Sequence, residues 1–224
     1  MYRCLLLLTG GILAGSALAA ESARVDFVIG EVVAVQVDGT HRPLARGGKV
    51  SPGDTVDTGT GRAQLRFTDG AMVSLAPQTQ FRIDAYEFKG QTDGSEKGFF
   101  SLLKGTMRTI TGAIGKTERK AYRLDTAVAT IGIRGTTYSV AYGNSITVST
   151  VEGAVEACNN GGCLVVVAGR SAYVRDIDTL PVLLGGGSLP PESTPPPAAP
   201  QGFSAGDNPN IIVPPQQSPG PHVY

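Results

Sequence analysis

Short stretches of alternating apolar and polar residues, separated by tight-turn signals, constrain the fold of this chain more than any other feature. In residues 62–84 the alternation runs on both sides of Asp69-Gly70. A two-residue Asp-Gly loop between alternating segments is among the strongest short-range signals for a β-hairpin. Phe81 and Ile83 continue the alternation, which predicts a third strand.

A second hairpin is predicted around Gly143-Asn144, within residues 136–157, where β-branched and aromatic residues suit a pleated surface. Apolar spacing of three and four does not persist over three turns anywhere between residues 25 and 175, so we predict no helix. We therefore expect an all-β domain of about a dozen short, mainly antiparallel strands in a sandwich or roll. A partly β-helical arrangement is the alternative.

A short unit that begins with glycine recurs at Gly30, Gly105 and Gly153, each time after one apolar run and before another. Glycine permits a β-bulge where a sheet turns a corner. We interpret the unit as such a corner, with an old internal duplication as the alternative.

The two ends of the chain differ from the middle. Residues 1–19 contain Arg3, an apolar run and the tripeptide Ala17-Leu18-Ala19, which predicts a cleavable signal peptide. The segment 181–224 is rich in Gly and Pro and predicts a disordered tail, because proline favours extended, unpacked chain. We thus expect a β domain over residues 20–180 in a periplasmic or secreted protein without a stable membrane anchor.

Two cysteines follow the predicted signal peptide, Cys158 and Cys163, and the four residues between them include Asn160-Gly161. An oxidising compartment and a hairpin turn between the cysteines predict a disulfide. A redox-active or metal-binding pair is the alternative. Redox motifs, however, place two residues between the cysteines, and a metal would need two further ligands.

Charge and motifs argue against several classes of function. The formal net charge is zero and no run of Lys and Arg occurs, which disfavours nucleic acid as a partner. His41 lies in a polar turn and His222 in the proline-rich tail, while 112–117 contains Gly-Lys-Thr without the spacing of a phosphate loop. We predict no enzyme activity, no cofactor and no metal.

An ordered set of elements resembles the FecR family over about 150 residues. The elements are 30-GEVVAV, the turn with Gly53 and Asp54 inside 44–83, the strand end at Asp69-Gly70, 103-LKGTMRTI, the segment 125–140 with Gly132, Arg134, Gly135 and Thr136, and 147-TVSTVEGAVEA. Asp125-Thr126-Ala127 stands where the family usually has Thr-Pro before the alanine, which predicts a less rigid entry to that strand.

The resemblance implies the periplasmic part of a signalling protein, which in the type member receives a signal from an outer-membrane transporter. Because the predicted signal peptide places the chain outside the cytoplasm, we expect an envelope protein as partner and no direct contact with a sigma factor. A binding module for peptidoglycan or another envelope polymer is one alternative. A structural element of the cell surface is another.

Arg134 stands between Gly132 and Gly135 in a segment that otherwise alternates as a strand. Small neighbours let other strands approach the guanidinium, which offers five donors to carboxylate or carbonyl oxygens. We predict that Arg134 is at least half-buried and pairs with Asp54 or Asp69, which gives these motif residues a structural role. Recognition of a ligand carboxylate by Arg134 is the alternative.

Overall fold

The computed structural model of the protein describes residues 21–117 and 119–185, except for the side chain at position 119. The predicted signal peptide and residues 186–224 of the predicted tail lie outside this part. Its strands are β1 (Ala23–Ile29), β2 (Val33–Val35), β3 (His41–Pro43), β4 (Lys49–Val50), β5 (Thr55–Asp57), β6 (Arg62–Phe67), β7 (Met72–Leu75), β8 (Gln80–Glu87), β9 (Lys97–Ile110), β10 (Tyr122–Asp125), β11 (Thr130–Tyr142), β12 (Ile146–Asn159), β13 (Gly162–Val167), β14 (Ser171–Val174) and β15 (Val182–Leu183). Helix α1 spans Ala113–Thr117, and a 3-10 turn spans Arg119–Ala121.

The predicted fold class is confirmed, because the described strands all join one mainly antiparallel sheet that does not close. The pair β9 and β10 is parallel. The expectation of short strands is wrong for β9, β11 and β12, which have 13 or 14 residues each. The expectation of no helix is wrong for α1, whose five residues are too few to show a helical period.

The three long strands change partners halfway, and this divides the sheet into two halves. Strand β9 pairs with β8 and β10 through residues 97–104 and with β7 and β11 through residues 105–110. Strand β12 pairs with β14 through residues 146–149 and with β13 through residues 154–159. One half therefore contains β8, β10 and β13, and the other contains β7 and β14.

A glycine in the left-handed region marks each change of partner: φ is +96° at Gly105, +58° at Gly135 and +72° at Gly153. A Cβ atom on Gly153 would lie 2.3 Å from the carbonyl oxygen of Gly135, so the two bends are packed directly on each other. The register between β11 and β12 shifts at the same place. With φ of +72° at Gly30 as well, the recurring glycine units are corners of the sheet, as predicted.

Side chains from both halves form one apolar core. Phe67 of β6 and Phe100 of β9 belong to different halves, yet their ring centroids are 5.3 Å apart. Phe81 of β8 stacks on the same Phe100 at 5.5 Å. The sheet is therefore folded over on itself around these rings.

Both predicted hairpins are present, with Asp69-Gly70 between β6 and β7 and Gly143-Asn144 between β11 and β12. The third predicted strand is β8, but it pairs with β5 and β9 and not with β7. The predicted start of the tail, residue 181, is too early, because β15 pairs with β14.

Candidate functional site

Arg134 lies on the solvent side of β11, just before the bend at Gly135. Ile131 and Ile133 point into the core, so strand alternation turns Arg134 outward. Among residues 21–117 and 119–185 no carboxylate forms an ion pair with its guanidinium. The prediction of a buried Arg134 paired with Asp54 or Asp69 is wrong. Recognition of a ligand carboxylate by this arginine stays a prediction.

Asp54 stabilises the turn that precedes β5. The residue is 5% exposed, and its carboxylate accepts hydrogen bonds from the backbone N–H of Ser51 and from Nη2 of Arg42, both at 3.1 Å. Gly53 supplies the positive φ of +90° that this turn needs. Asp54 therefore pairs with Arg42, on the edge strand β3, and not with Arg134 as predicted.

Asp69 joins the β6–β7 turn to α1. One carboxylate oxygen accepts the N–H of Ala71 at 3.0 Å, and the other accepts the N–H of Ile114 at 3.2 Å. Gly112 allows this approach, because a Cβ atom there would lie 2.5 Å from an Asp69 oxygen. Gly70 completes the turn with φ of +87°. The Gly-Lys-Thr segment that follows Gly112 therefore forms the short helix held by Asp69.

Thr136 fixes the bend of β11 through its backbone. Its N–H donates to Oγ1 of Thr111 at 2.9 Å, and its carbonyl accepts the N–H of Thr111 at 3.0 Å. Gly132 leaves open space on the surface, with the nearest atom 4.0 Å from a Cβ placed there. The Arg-Gly-Thr element thus acts as a corner of the sheet, with the arginine exposed.

A pair of buried tyrosines was not found in the sequence analysis. The hydroxyl groups of Tyr122 and Tyr138 are 2.5 Å apart, and both side chains lie in the core. Burial raises the pKa of Tyr138 to about 12 and raises that of Tyr122 as well. In an alternating strand pattern a buried tyrosine looks like any other core residue. The pattern therefore did not predict that the two hydroxyls meet.

Cys158 and Cys163 form the predicted disulfide, which links β12 to β13 with 4.1 Å between the Cα atoms. In antiparallel pairs this short spacing is typical of positions whose backbone groups do not bond to each other. The N–H of Ala168 donates to the carbonyl of Gly153 at 3.1 Å. Bonded and non-bonded pairs alternate along antiparallel strands, and counting from this bonded pair also makes Cys158 and Cys163 a non-bonded pair. The backbone N–H and C=O of Cys163 and Val165 therefore point away from β12.

Among the described strands β13 pairs with β12 alone, so within this part of the chain the outward side is a free sheet edge. Val165 is 44% exposed and Val167 is 53% exposed, and both side chains lie on the same outer face. Residues 162–168 carry no charge. We call β13 with these outward groups the free edge.

The other outermost strands are shorter or carry the features that usually block strand addition. Strands β4 and β15 have two residues each, and β4 includes Lys49. Strand β3 has three residues, among them Arg42 and Pro43. Among the described strands that pair with one other strand only, β13 is thus the longest.

The described residues hold no cluster of three or more His, Cys, Asp or Glu side chains suited to a metal ion. A shallow pocket of about 140 Å³ lies beside Asp125, Thr126 and Tyr142. Pockets for small-molecule ligands usually measure about 300–1,000 Å³. The free edge is therefore the stronger candidate for binding.

The folded-over sheet, its glycine corners and its free edge define an all-β domain. Residues 54–156 match the family model described as FecR protein, so this part of the chain is a FecR domain. The match begins after the resemblance at Gly30 and includes Asp54, Asp69 and Arg134.

Two crystal structures of a proposed anti-sigma factor from Parabacteroides distasonis ATCC 8503 are similar to the chain. They are 17% and 19% identical to it, with TM-scores of 0.43 and 0.44. Each comparison covers 55% of this chain and 55% of that protein, so the chain spans about half of the other protein's length. No curated protein matches the chain. In the ranges described, none of the helices has the length and apolar character to cross a membrane.

Proposed function

We propose that the protein is an exported protein-interaction module of the FecR type, without enzyme activity, that acts in signalling or assembly in the cell envelope. The FecR match supports a role in signalling, and the signal peptide predicted over residues 1–19 supports export. The partner is an envelope protein.

The observation that carries this proposal is the free edge. Cys163 and Val165 present backbone donors and acceptors that pair with no other described strand, and Val165 and Val167 present apolar side chains beside them. A partner segment in extended conformation gains main-chain hydrogen bonds and apolar contacts at such an edge. The disulfide at Cys163 holds the strand in place before the partner arrives. Recognition therefore proceeds by strand addition.

A photo-crosslinking side chain at position 167 tests this proposal in the organism that makes the protein. We expect a covalent adduct with one discrete envelope protein. The same crosslinker at position 46, in an exposed turn, serves as the control and yields no such adduct. If position 167 yields no protein adduct, the proposal is wrong.

Val165→Pro and Val165→Thr then distinguish strand addition from contact through side chains. The N–H of Val165 faces away from β12, so proline removes an outward donor and leaves the pairing with β12 intact. Threonine keeps that donor. We expect proline to reduce the adduct about tenfold, which corresponds to about 1.4 kcal/mol of binding, and threonine to preserve it. An equal yield from both variants would exclude strand addition.

A further inference from the structure

The outer face of the other half of the sheet carries a row of small hydroxyl side chains with one arginine among them. Cross-strand pairing places Ser74 of β7 beside Arg108 of β9, and Arg108 beside Ser139 of β11. The row continues through directly paired positions to Ser149 of β12 and Ser171 of β14. With neighbouring strands about 4.8 Å apart, this row is roughly 19 Å long.

A second row runs beside the first and carries no charge. It consists of Thr106, Ala141, Thr147 and Tyr173, again in direct cross-strand register. Ser149 is 2% exposed and bonds to Ser171 at 2.8 Å between the hydroxyl oxygens, so the first row is recessed at Ser149. We call the two rows together the hydroxyl face.

Arg108 is the one charged side chain of the hydroxyl face. It is exposed, and no ion pair or side-chain hydrogen bond connects it to another described residue. Its cross-strand neighbours on both sides are serines, which are short and uncharged. An unpaired arginine in neutral surroundings favours an anion, because its planar fork binds carboxylate with two parallel hydrogen bonds.

We propose that the hydroxyl face binds a linear acidic polysaccharide. Arg108 pairs with a carboxylate of one sugar unit, while Ser139, Ser171 and Thr147 exchange hydrogen bonds with sugar hydroxyls. Tyr173, half-buried at the end of the second row, offers its ring to the apolar face of a sugar. This binding is independent of the proposed partner protein, since β13 belongs to the other half of the sheet.

Binding of polygalacturonate to the full exported chain tests this proposal, with neutral dextran as the uncharged control polymer. We expect the wild-type protein to bind polygalacturonate and not dextran. Arg108→Gln lowers the affinity about tenfold, whereas Arg46→Gln, at an exposed arginine in a distant turn, leaves it unchanged. Val165→Pro also leaves the affinity for polygalacturonate unchanged. A failure of polysaccharide binding can therefore be distinguished from a failure of strand addition.

Three results would overturn the proposal. They are a lack of binding to polygalacturonate, an equal loss for Arg46→Gln and Arg108→Gln, and equally tight binding to duplex DNA, which would indicate general attraction of polyanions. Ser139→Val tests the hydroxyl contribution separately, because it leaves the charge of Arg108 in place. We expect this variant to bind several-fold more weakly with an unchanged melting temperature.

Discussion

Asp54 and Arg134 belong to the same family motif but have opposite environments. The Asp54 carboxylate is buried and satisfies the N–H of Ser51, so Asp54→Ala leaves that donor unpaired. We expect Asp54→Ala to lower the free energy of unfolding by about 1–3 kcal/mol. Arg134→Ala changes it by less than about 0.5 kcal/mol, as is usual for exposed positions. Urea unfolding of both variants measures the difference, and a larger loss for Arg134→Ala would contradict the geometry described above.

The tyrosine pair makes stability depend on alkaline pH. The pKa of an unfolded tyrosine is about 10, whereas burial raises the pKa of Tyr138 to about 12 and that of Tyr122 in the same direction. A raised folded-state pKa stabilises the fold fully below the unfolded value, and this stabilisation is lost as pH rises through the folded value. We therefore expect the free energy of unfolding to fall between pH 10 and about 12.

The double variant Tyr122→Phe with Tyr138→Phe is the control for this pH dependence. It removes both hydroxyls together, so neither is left buried without a partner, and stability near pH 7 stays close to that of the wild type. Denaturant titrations at pH 8, 10 and 11 compare the two proteins. An equally steep fall in the double variant would show that the tyrosines do not cause it.

At the scale of elements, the bends of the long strands depend on glycine. Gly153→Ala places a Cβ atom against the carbonyl of Gly135 at a φ of +72°. We expect a loss of about 2 kcal/mol or more, because the left-handed region alone costs about 1–2 kcal/mol per residue. Gly143→Ala is the matched control, since a Cβ atom there meets nothing within 4 Å. Thermal unfolding compares the two variants, and equal melting temperatures would contradict the account of the bend.

The disulfide stabilises the β12–β13 hairpin and therefore the free edge. Replacing Cys158 and Cys163 together by serine removes a cross-link of small loop size, and we expect a loss of about 2 kcal/mol. Chemical denaturation of the wild type with and without a reductant measures the stability that the disulfide contributes. The stability of the double variant should not depend on the reductant. A wild-type protein that does not respond either would show that the cross-link contributes no stability.

The sequence predicted those elements whose signals are local. The turns at Asp69-Gly70 and Gly143-Asn144 each join strands that are adjacent in the chain, so alternation and turn chemistry identify them. The bend at Gly105 depends instead on Thr79, whose Cα would lie 2.4 Å from a Cβ at Gly105. Such a contact between distant residues leaves no periodic pattern in the sequence.

The position of Arg134 was unpredictable for a related reason. A shift of one residue in a strand moves every side chain to the other face, and the register of β11 shifts between Arg134 and Thr137. The glycines on either side were interpreted as room for a buried guanidinium. In the structure one of them, Gly135, makes the bend at which the buried and exposed sides of β11 are exchanged. The glycines therefore indicated a bend in the backbone and not a buried arginine.

At the scale of the whole molecule, the two surfaces proposed for binding lie on different halves of the sheet. The free edge offers backbone groups and valines, whereas the hydroxyl face offers serines and one arginine. The bends at Gly105, Gly135 and Gly153 produce this separation, because each long strand contributes to both halves. The FecR domain at residues 54–156 contains most of the hydroxyl face, while β13 lies beyond the matched segment.

Amide-resolved hydrogen exchange at β13 tests the central claim, that this strand is a free edge completed by a partner. In the protein alone we expect fast exchange at Cys163 and Val165 and slow exchange at Leu164 and Val166, which bond to β12. Addition of the crosslinked partner protein should slow exchange at Cys163 and Val165 by at least about tenfold. Slow exchange at Val165 in the protein alone, or no change there in the complex, would contradict the account.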